Sequence, residues 1–310
     1  MKKLLTTLSF LTLATTAGNL TNFLNSTIQK NNITTNYIQN KTQQDTIYID
    51  EDGKEQTTNA HDLLLIKTKE IVQIGFYKNE KEEIQVVRMP VTVEKVPNQL
   101  PQEITSLKNM FSSAFGFTEK FNQDISSWNT SNVKDMSSMF YGAMLFNQDL
   151  SKWDTSKVTN MSCMFQGAQQ FNQDISSWNT SNVKDMSSMF SSAISFKQNI
   201  SNWNTSNVTN MSAMFEGAKQ FNQNIGKWDT SKVKSMGFMF SNVFDWFSIF
   251  NQDISEWNVS NVEDMSYMFY NAKDFNQDLS KWNVEKVTEH KNFSVNSGID
   301  NPNKLPKFKN

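Results

Sequence analysis

The chain has 310 residues, and 29 lysine or arginine residues against 31 aspartate or glutamate residues leave a net charge of −2. A protein with so little net charge lacks the cationic field that holds a phosphate backbone, which argues against nucleic acid as a partner. One cysteine and two histidines exclude an intramolecular disulfide and a multi-cysteine metal site, and they leave little material for a catalytic pair. We therefore predict a protein that is not an enzyme, with no catalytic residue, metal or cofactor.

The N-terminal segment, residues 1–17, is built like an export signal. Two lysines precede an apolar stretch from Leu4 to about Ala14, which is short for a membrane-spanning helix. Ala17 offers a small residue at which a signal peptidase could cut. We expect an exported, extracellular or cell-surface protein, attached to a membrane only through this segment if it is retained. A buried N-terminal helix is the alternative.

Two further segments precede the main part of the chain. Residues 18–45 are rich in Asn, Thr and Gln without an apolar period, which predicts a flexible spacer. Residues 46–103 are predicted to form a small β-rich capping unit. A strand over 47–50 leads into an Asp-Gly turn, and the β-branched segments 70–77 and 83–89 predict a hairpin. The apolar run 62–68 is compatible with either a strand or a helix.

A repeat of 25 residues dominates the chain from residue 104 to residue 293. Tryptophans recur 25 residues apart, with one step of 29, at Trp128, Trp153, Trp178, Trp203, Trp228, Trp257 and Trp282. The twenty residues from Phe121 to Phe140 recur unchanged from Phe171 to Phe190. We call residues 104–293 the repeat array, and residues 294–310 form a C-terminal tail.

Each repeat carries apolar residues at constant slots, which is what stacked units need to bury a continuous core. In the first full repeat these residues are Phe121, Ile125, Trp128, Val133, Met136, Met139, Phe140 and Ala143. Segments 124–128 and 133–136 suggest short strands, and 137–143 suggests a helical turn closed by Gly or Asn. The predicted fold is an α/β repeat solenoid, leucine-rich-repeat-like, with one or two short parallel strands and a short helical turn per coil, behind the small β-rich unit.

Polar slots recur as well, and we predict that they hold turns. Asx and Ser or Thr residues after each tryptophan can bond local backbone amides at the corner of each coil. An asparagine column is predicted to form a ladder along the array: Asn122, Asn147, Asn172, Asn222, Asn251 and Asn276.

The repeated pattern F-N-Q-D-[IL]-S-x-W-[ND]-[TV]-S-[NK]-V-x-x-M-x-x-M-F-x-x-A runs from Phe121 to Val287. It resembles the BspA-like leucine-rich-repeat surface proteins, whose repeat of about 26 residues is common in mycoplasma surface proteins. The resemblance implies a cell-surface protein, usually a lipoprotein, with roles in adhesion or host contact. This chain lacks the lipobox cysteine of such lipoproteins, and the family pattern carries no catalytic residues.

Three recurring features have a functional and a structural interpretation. An acidic column could coordinate calcium between coils, but a turn role is favoured because Asn replaces Asp at two slots. Its members are Asp124, Asp149, Asp174, Asn199, Asn224, Asp253 and Asp278.

Two methionine columns suggest a soft-metal ladder, although core packing explains them better. Cys163 occupies a slot that elsewhere holds Ser, Ala, Phe or Tyr, so we predict a non-catalytic position.

Candidate partner-binding residues lie outside the constant slots. A four-residue insertion adds Phe244, Trp246 and Phe247, which either anchor a partner or fold back onto the coil. Tyr141 and Tyr270 belong to a variable slot that would form a recognition strip if it faces solvent.

Two hypotheses for function follow. The first is an adhesion or recognition scaffold for a host or neighbouring-cell surface protein or glycan. The second is a structural or antigenic surface coat protein with recombining repeats and no dedicated ligand. The aromatic insertion favours the first hypothesis, and the identical twenty-residue copies favour the second.

Overall fold

The computed structural model describes residues 41–113, 121–242, 248–299 and 301–309, and residues 43–310 form one compact unit. The predicted export segment and most of the predicted spacer lie outside the described residues.

Three short strands form an antiparallel sheet at the start of this unit. They are β1 (Thr46–Ile49), β2 (Glu55–Thr58) and β3 (Glu70–Gln73), in the order β2-β1-β3. Between β1 and β2 the Asp50 carboxylate accepts hydrogen bonds from two backbone N–H groups, and Gly53 supplies a φ of 77°. The predicted strand and Asp-Gly turn are confirmed.

A second sheet pairs β4 (Phe76–Lys78) with β5 (Ile84–Val86) in an antiparallel hairpin. The predicted hairpin is confirmed only for this half, because the preceding β3 pairs with β1 instead. The chain changes sheets at Gly75, where a Cβ atom would stand 2.2 Å from the Thr46 hydroxyl oxygen. Only glycine permits that close approach.

One parallel ladder of single-residue bridges runs from β5 through the repeat array. Its members are Gln85, Ser106, Asp135, Asn160, Asp185, Asn210, Ser235, Asp264 and Glu289. Each repeat contributes one residue, so consecutive repeats stack in register. No longer parallel strand forms among the described residues.

The predicted helical turn in each repeat is wrong. Within the described residues the one helical element is the short 3-10 helix Pro302–Lys304. Backbone N–H groups in segment 137–143 alternate between two kinds of acceptor. Met139 and Tyr141 donate to carbonyls three residues earlier in their own repeat. Ser138 and Phe140 donate instead to carbonyls of the following repeat.

This alternation explains why no helix forms. An α-helix needs every N–H to donate to a carbonyl four residues earlier in the same segment. Here every second N–H is held by the neighbouring repeat, and Ser138 and Gly142 have φ values of 55° and 70°. The expected α/β solenoid of leucine-rich-repeat type is therefore contradicted. The array is a stack of coils built from turns, and short antiparallel strands precede it in the sequence.

The core consists of stacked aromatic columns. Phe140, Phe165 and Phe190 follow each other with ring centroids 5.6 and 5.8 Å apart. A second column, which includes Phe146 and Phe171, lies 3.9 to 4.0 Å from the first. All eight predicted apolar slots of the first full repeat are at most 2% exposed, so this prediction is confirmed.

Residues 294–309, within their described part, pack against the last repeat. The Leu279 N–H donates to the Lys304 carbonyl at 2.8 Å. The Phe308 ring stacks on His290, with centroids 4.4 Å apart, and meets Phe293 edge-on at 5.1 Å. The tail therefore covers the end of the aromatic core.

Candidate functional site

Polar side chains at the corners of each repeat are committed to turns. Asp124, Asn129 and Asp135 each accept a hydrogen bond from the backbone N–H two residues later, at 2.8, 3.1 and 2.8 Å. The same bonds recur in the following repeats. The predicted turn role of the acidic column is confirmed.

These turns also set the acidity of the column. The backbone N–H and hydroxyl of the serine two residues on lower the pKa of Asp124, Asp149, Asp174 and Asp253 below the ordinary value of 3.8. Hydrogen bonds to the charged form favour it. Among the described residues, no group of three or more His, Cys, Asp or Glu side chains is placed to hold a metal ion.

The asparagine column forms the predicted ladder. Asn122 Oδ1 accepts from the Asn147 N–H, and Asn147 Oδ1 accepts from the Asn172 N–H, both at 2.9 Å. Asn172 Oδ1 accepts the equivalent hydrogen bond from the Lys197 N–H at 3.0 Å. Lys197 has no amide oxygen to continue the series, which resumes from Asn222 to Asn251.

Two adjacent columns of variable residues lie beside the buried Met139 and Phe140 slots, and we call them the variable face. The first column is Ser138, Cys163, Ser188, Ala213, Phe238 and Tyr267. The second column is Tyr141, Gln166, Ser191, Glu216, Ser241 and Tyr270. Ten of these twelve residues are partly or fully accessible, whereas Ser191 and Ser241 are buried.

Three aromatic side chains cluster at one end of the variable face. The Phe238 and Tyr267 rings are stacked, with centroids 4.7 Å apart and planes 9° apart. Tyr270 meets Tyr267 edge-on at 5.6 Å. Phe238 is 36% exposed, although it is among the largest apolar side chains of the chain. We call Phe238, Tyr267 and Tyr270 the aromatic platform.

Two platform residues, Phe238 and Tyr267, stand at a slot whose backbone is left-handed in every repeat. Phe238 and Tyr267 have φ values of 61° and 57°, a region that bulky residues rarely adopt. Asn109 and Asn292 occupy the same slot with φ values of 60° and 53°, and asparagine tolerates this conformation well. Two aromatic residues therefore stand at a slot where backbone preference favours Asn or Gly.

Glu216 lies in the variable face one repeat before Phe238. Burial raises the pKa of its carboxyl group, and a hydrogen bond from the Ser191 hydroxyl, at 3.4 Å, opposes that effect. The Glu216 carboxyl group is therefore a partly accessible group of the variable face that accepts a hydrogen bond from Ser191.

The predicted site residues are only partly brought together. Tyr270 belongs to the platform, whereas Tyr141 is half-buried at the opposite end of the same column. Phe244, Trp246 and Phe247 lie outside the described residues.

Sequence analysis missed Phe238 and Tyr267 as binding candidates. The signal was present, because both replace small residues at the slot of Cys163. What the sequence could not show is that they stack on each other across two repeats.

Other candidate groups are less suited to binding or chemistry. Burial raises the pKa of the Cys163 thiol, which disfavours the reactive thiolate at neutral pH. A cavity of about 470 Å³ beside the β4–β5 hairpin is lined by His61 and Tyr77, whose rings stack with centroids 3.7 Å apart. Both lysines and carboxylates line this cavity, so its charge favours neither anionic nor cationic ligands.

Across the described part of the chain, we find no helix with the length and apolar character needed to cross a membrane.

Comparison with known proteins identifies one family. The family described as Mycoplasma protein of unknown function, DUF285, matches the chain twice, over residues 105–209 and 194–303. No curated protein and no solved structure matches the chain. The two overlapping matches cover most of the repeat array and more than half of the 310 residues. The chain therefore belongs to the DUF285 family of mycoplasma repeat proteins.

Proposed function

We propose that this protein is an exported, non-catalytic surface protein, akin to the BspA-like surface proteins, whose repeat array recognises a protein or glycan on another surface. The chain belongs to a mycoplasma repeat family, and its N-terminal sequence has the build of an export signal.

The observation that carries this proposal is the aromatic platform. The core slots keep the same kind of residue from repeat to repeat, whereas the variable face changes. At one end of that face, the accessible Phe238 stacks on Tyr267. Clustered, accessible aromatic side chains supply large contact area at low entropic cost, which is why they are enriched in binding sites.

A surface coat protein without a ligand is the second candidate. The segment from Phe121 to Phe140 is identical to the segment from Phe171 to Phe190, as expected for repeats that recombine. A coat needs a stable, repetitive body, and the stacked core supplies one whether or not a ligand exists.

The test is binding of the purified full-length chain to extracellular-matrix proteins, serum proteins and glycans. We expect saturable binding to at least one of them. A Trp246→Ala variant tests the insertion, and loss of binding in this variant would place the contact there. A well-folded sample that binds none of these partners would contradict recognition and favour the coat.

A further inference from the structure

We propose that the aromatic platform binds a neutral sugar ring, which stacks on the free face of Phe238 above Ala213. This inference rests on the proposed recognition function and names its site and its ligand class.

The free face of Phe238 follows from the order of residues in the column. Tyr267 comes one repeat later and covers one face of the Phe238 ring at 4.7 Å. Ala213 comes one repeat earlier and offers only a methyl group. The backbone register is regular at both steps, because Ala213 donates to the Gly237 carbonyl and Phe238 donates to the Ser266 carbonyl. The ring is therefore open on the side of Ala213, consistent with its 36% exposure.

The spacing of the repeats implies a gap about one ring thick above Ala213. Neighbouring repeats are held by parallel backbone bonds, whose spacing is about 4.8 Å. That is close to the separation of the stacked Phe238 and Tyr267 rings. The same slot continues with Ser188, Cys163 and Ser138, all small side chains. A ligand ring above Ala213 would extend the aromatic stack by one step.

Hydrogen-bonding groups line the second column beside this space. Glu216 belongs to the same repeat as Ala213 and is partly accessible. The buried Ser191 hydroxyl lies 3.4 Å from its carboxyl group and holds it in place. The Glu216 carboxylate can accept a hydrogen bond from a hydroxyl of a sugar.

The charge of the face disfavours an anionic ligand. Between residues 137 and 270, the two variable columns and the serine slot beside them contain one carboxylate, Glu216, and no lysine or arginine, and the Asp264 carboxylate adjoins Gly237 in the serine slot. That third slot is Ser137, Ser162, Ser187, Ser212, Gly237 and Ser266. A phosphate, a sulfate or an acidic sugar would find no opposite charge in these columns. An aromatic face combined with uncharged polar groups complements a neutral ring that carries C–H groups and hydroxyls.

The left-handed backbone of this slot belongs to the repeat, because Ser138, Cys163, Ser188 and Ala213 share it with φ values of 54° to 56°. Asparagine tolerates this conformation better than phenylalanine does. Phe238 nevertheless stays 36% exposed, so burial in the core does not account for an aromatic residue at this position.

The experiment titrates the full-length chain with glucose, galactose, N-acetylglucosamine and their short neutral oligomers, using isothermal calorimetry. We expect one of these probes to bind saturably. Phe238→Asn should weaken that binding about tenfold or more, because the loss of one stacking contact of about 1.4 kcal/mol corresponds to a factor of ten in affinity. Asparagine already occupies this slot at Asn109 and Asn292 with left-handed φ, so the variant should fold.

The matched control is Cys163→Ser, which changes the same slot away from the platform and copies its neighbours Ser138 and Ser188. Its sugar affinity should equal that of the parent chain. Unchanged binding by Phe238→Asn would overturn the site. Preference for choline or for a sialylated sugar over every neutral sugar would overturn the ligand class. Binding of proteins without any neutral sugar would overturn this inference and leave the proposed function standing, whereas a folded chain that binds nothing would overturn both.

Discussion

At many positions of this protein the backbone conformation restricts the residue type as strongly as burial in the core does. Asp124, Asn129 and Asp135 close turns by accepting the backbone N–H two residues later. Gly142 and Gly167 take φ values of 70° and 72°, where a side chain would be strained. A repeat without helices depends on such side-chain turns, because they satisfy backbone groups that a helix would pair internally.

The turn aspartates make stability depend on pH. Their pKa values are lowered in the folded chain, so the unfolded state binds more protons. Their contribution is complete above the unfolded pKa of about 4 and is lost as pH falls through the folded values. We expect the free energy of unfolding to fall between about pH 5 and about pH 2.

Urea unfolding followed by tryptophan fluorescence measures this dependence. The matched variant replaces the five aspartates of the column by asparagine, which the chain itself uses at Asn199 and Asn224 with the same turn bond. Its stability should vary less with pH than that of the parent chain. Equal pH dependence in both proteins would show that other carboxyl groups are responsible.

At the level of the repeat, polar ladders reinforce the stacked core. The Trp153 and Trp178 indole N–H groups donate to the Ile125 and Leu150 carbonyls at 3.2 and 3.0 Å. The buried Thr130 hydroxyl donates to the Asp154 carbonyl at 3.0 Å. Each bond joins one repeat to the next, so burial of the aromatic columns and pairing of buried polar groups occur together.

The interruption of the asparagine ladder at Lys197 gives a prediction at this scale. Lys197→Asn supplies an amide oxygen to the N–H of Asn222, as Asn172 does for Lys197. We expect a gain of about 0.5 to 1.5 kcal/mol in the free energy of unfolding, the usual net value of one hydrogen bond. Denaturant titration measures it. Lys197→Ala is the control, and an equal gain in that variant would argue that removal of the lysine, rather than the ladder, is responsible.

At the level of the whole compact unit, both ends of the stacked core are covered. The bridge from Gln85 to Ser106 joins the β4–β5 hairpin to the first partial repeat. At the other end, the tail contributes Phe308 against Phe293 and a backbone bond from Leu279 to Lys304. Open ends of a repeat stack expose apolar surface and unpaired backbone, which favours association with another chain.

Removal of the tail should therefore expose the apolar end of the core and promote association between chains. A variant that ends at Asn296 loses the contacts of Lys304 and Phe308 with the last repeat. We expect a midpoint of thermal unfolding lower by about 5 °C or more and association that increases with concentration. Light scattering after size-exclusion chromatography measures the association. Lys307→Ala, at an exposed tail position, should leave both properties unchanged.

The tail prediction has a clear contrary result. A truncated chain that stays monomeric at the stability of the parent chain would show that the last repeat closes the core without the tail. The turn-rich end at Phe293 would then be the effective cap.

The repeated sequence was sufficient to determine the core and the turns. Phe121, Trp128 and Met136 recur in constant slots, and this recurrence reveals burial because stacked copies must share one core. The asparagine ladder and the Asp-Gly turn were predicted for the same kind of reason, since each depends on a local residue pattern.

Only the tertiary structure decided the conformation of segment 137–143 and the position of the platform. Locally, this segment is compatible with a helical turn, but the carbonyls of Ser162 and Met164 in the next repeat capture its N–H groups. Phe238 and Tyr267 become stacking partners because their repeats are neighbours, although 29 residues separate them in the sequence. Both outcomes depend on contacts between repeats, which a pattern within one repeat cannot specify.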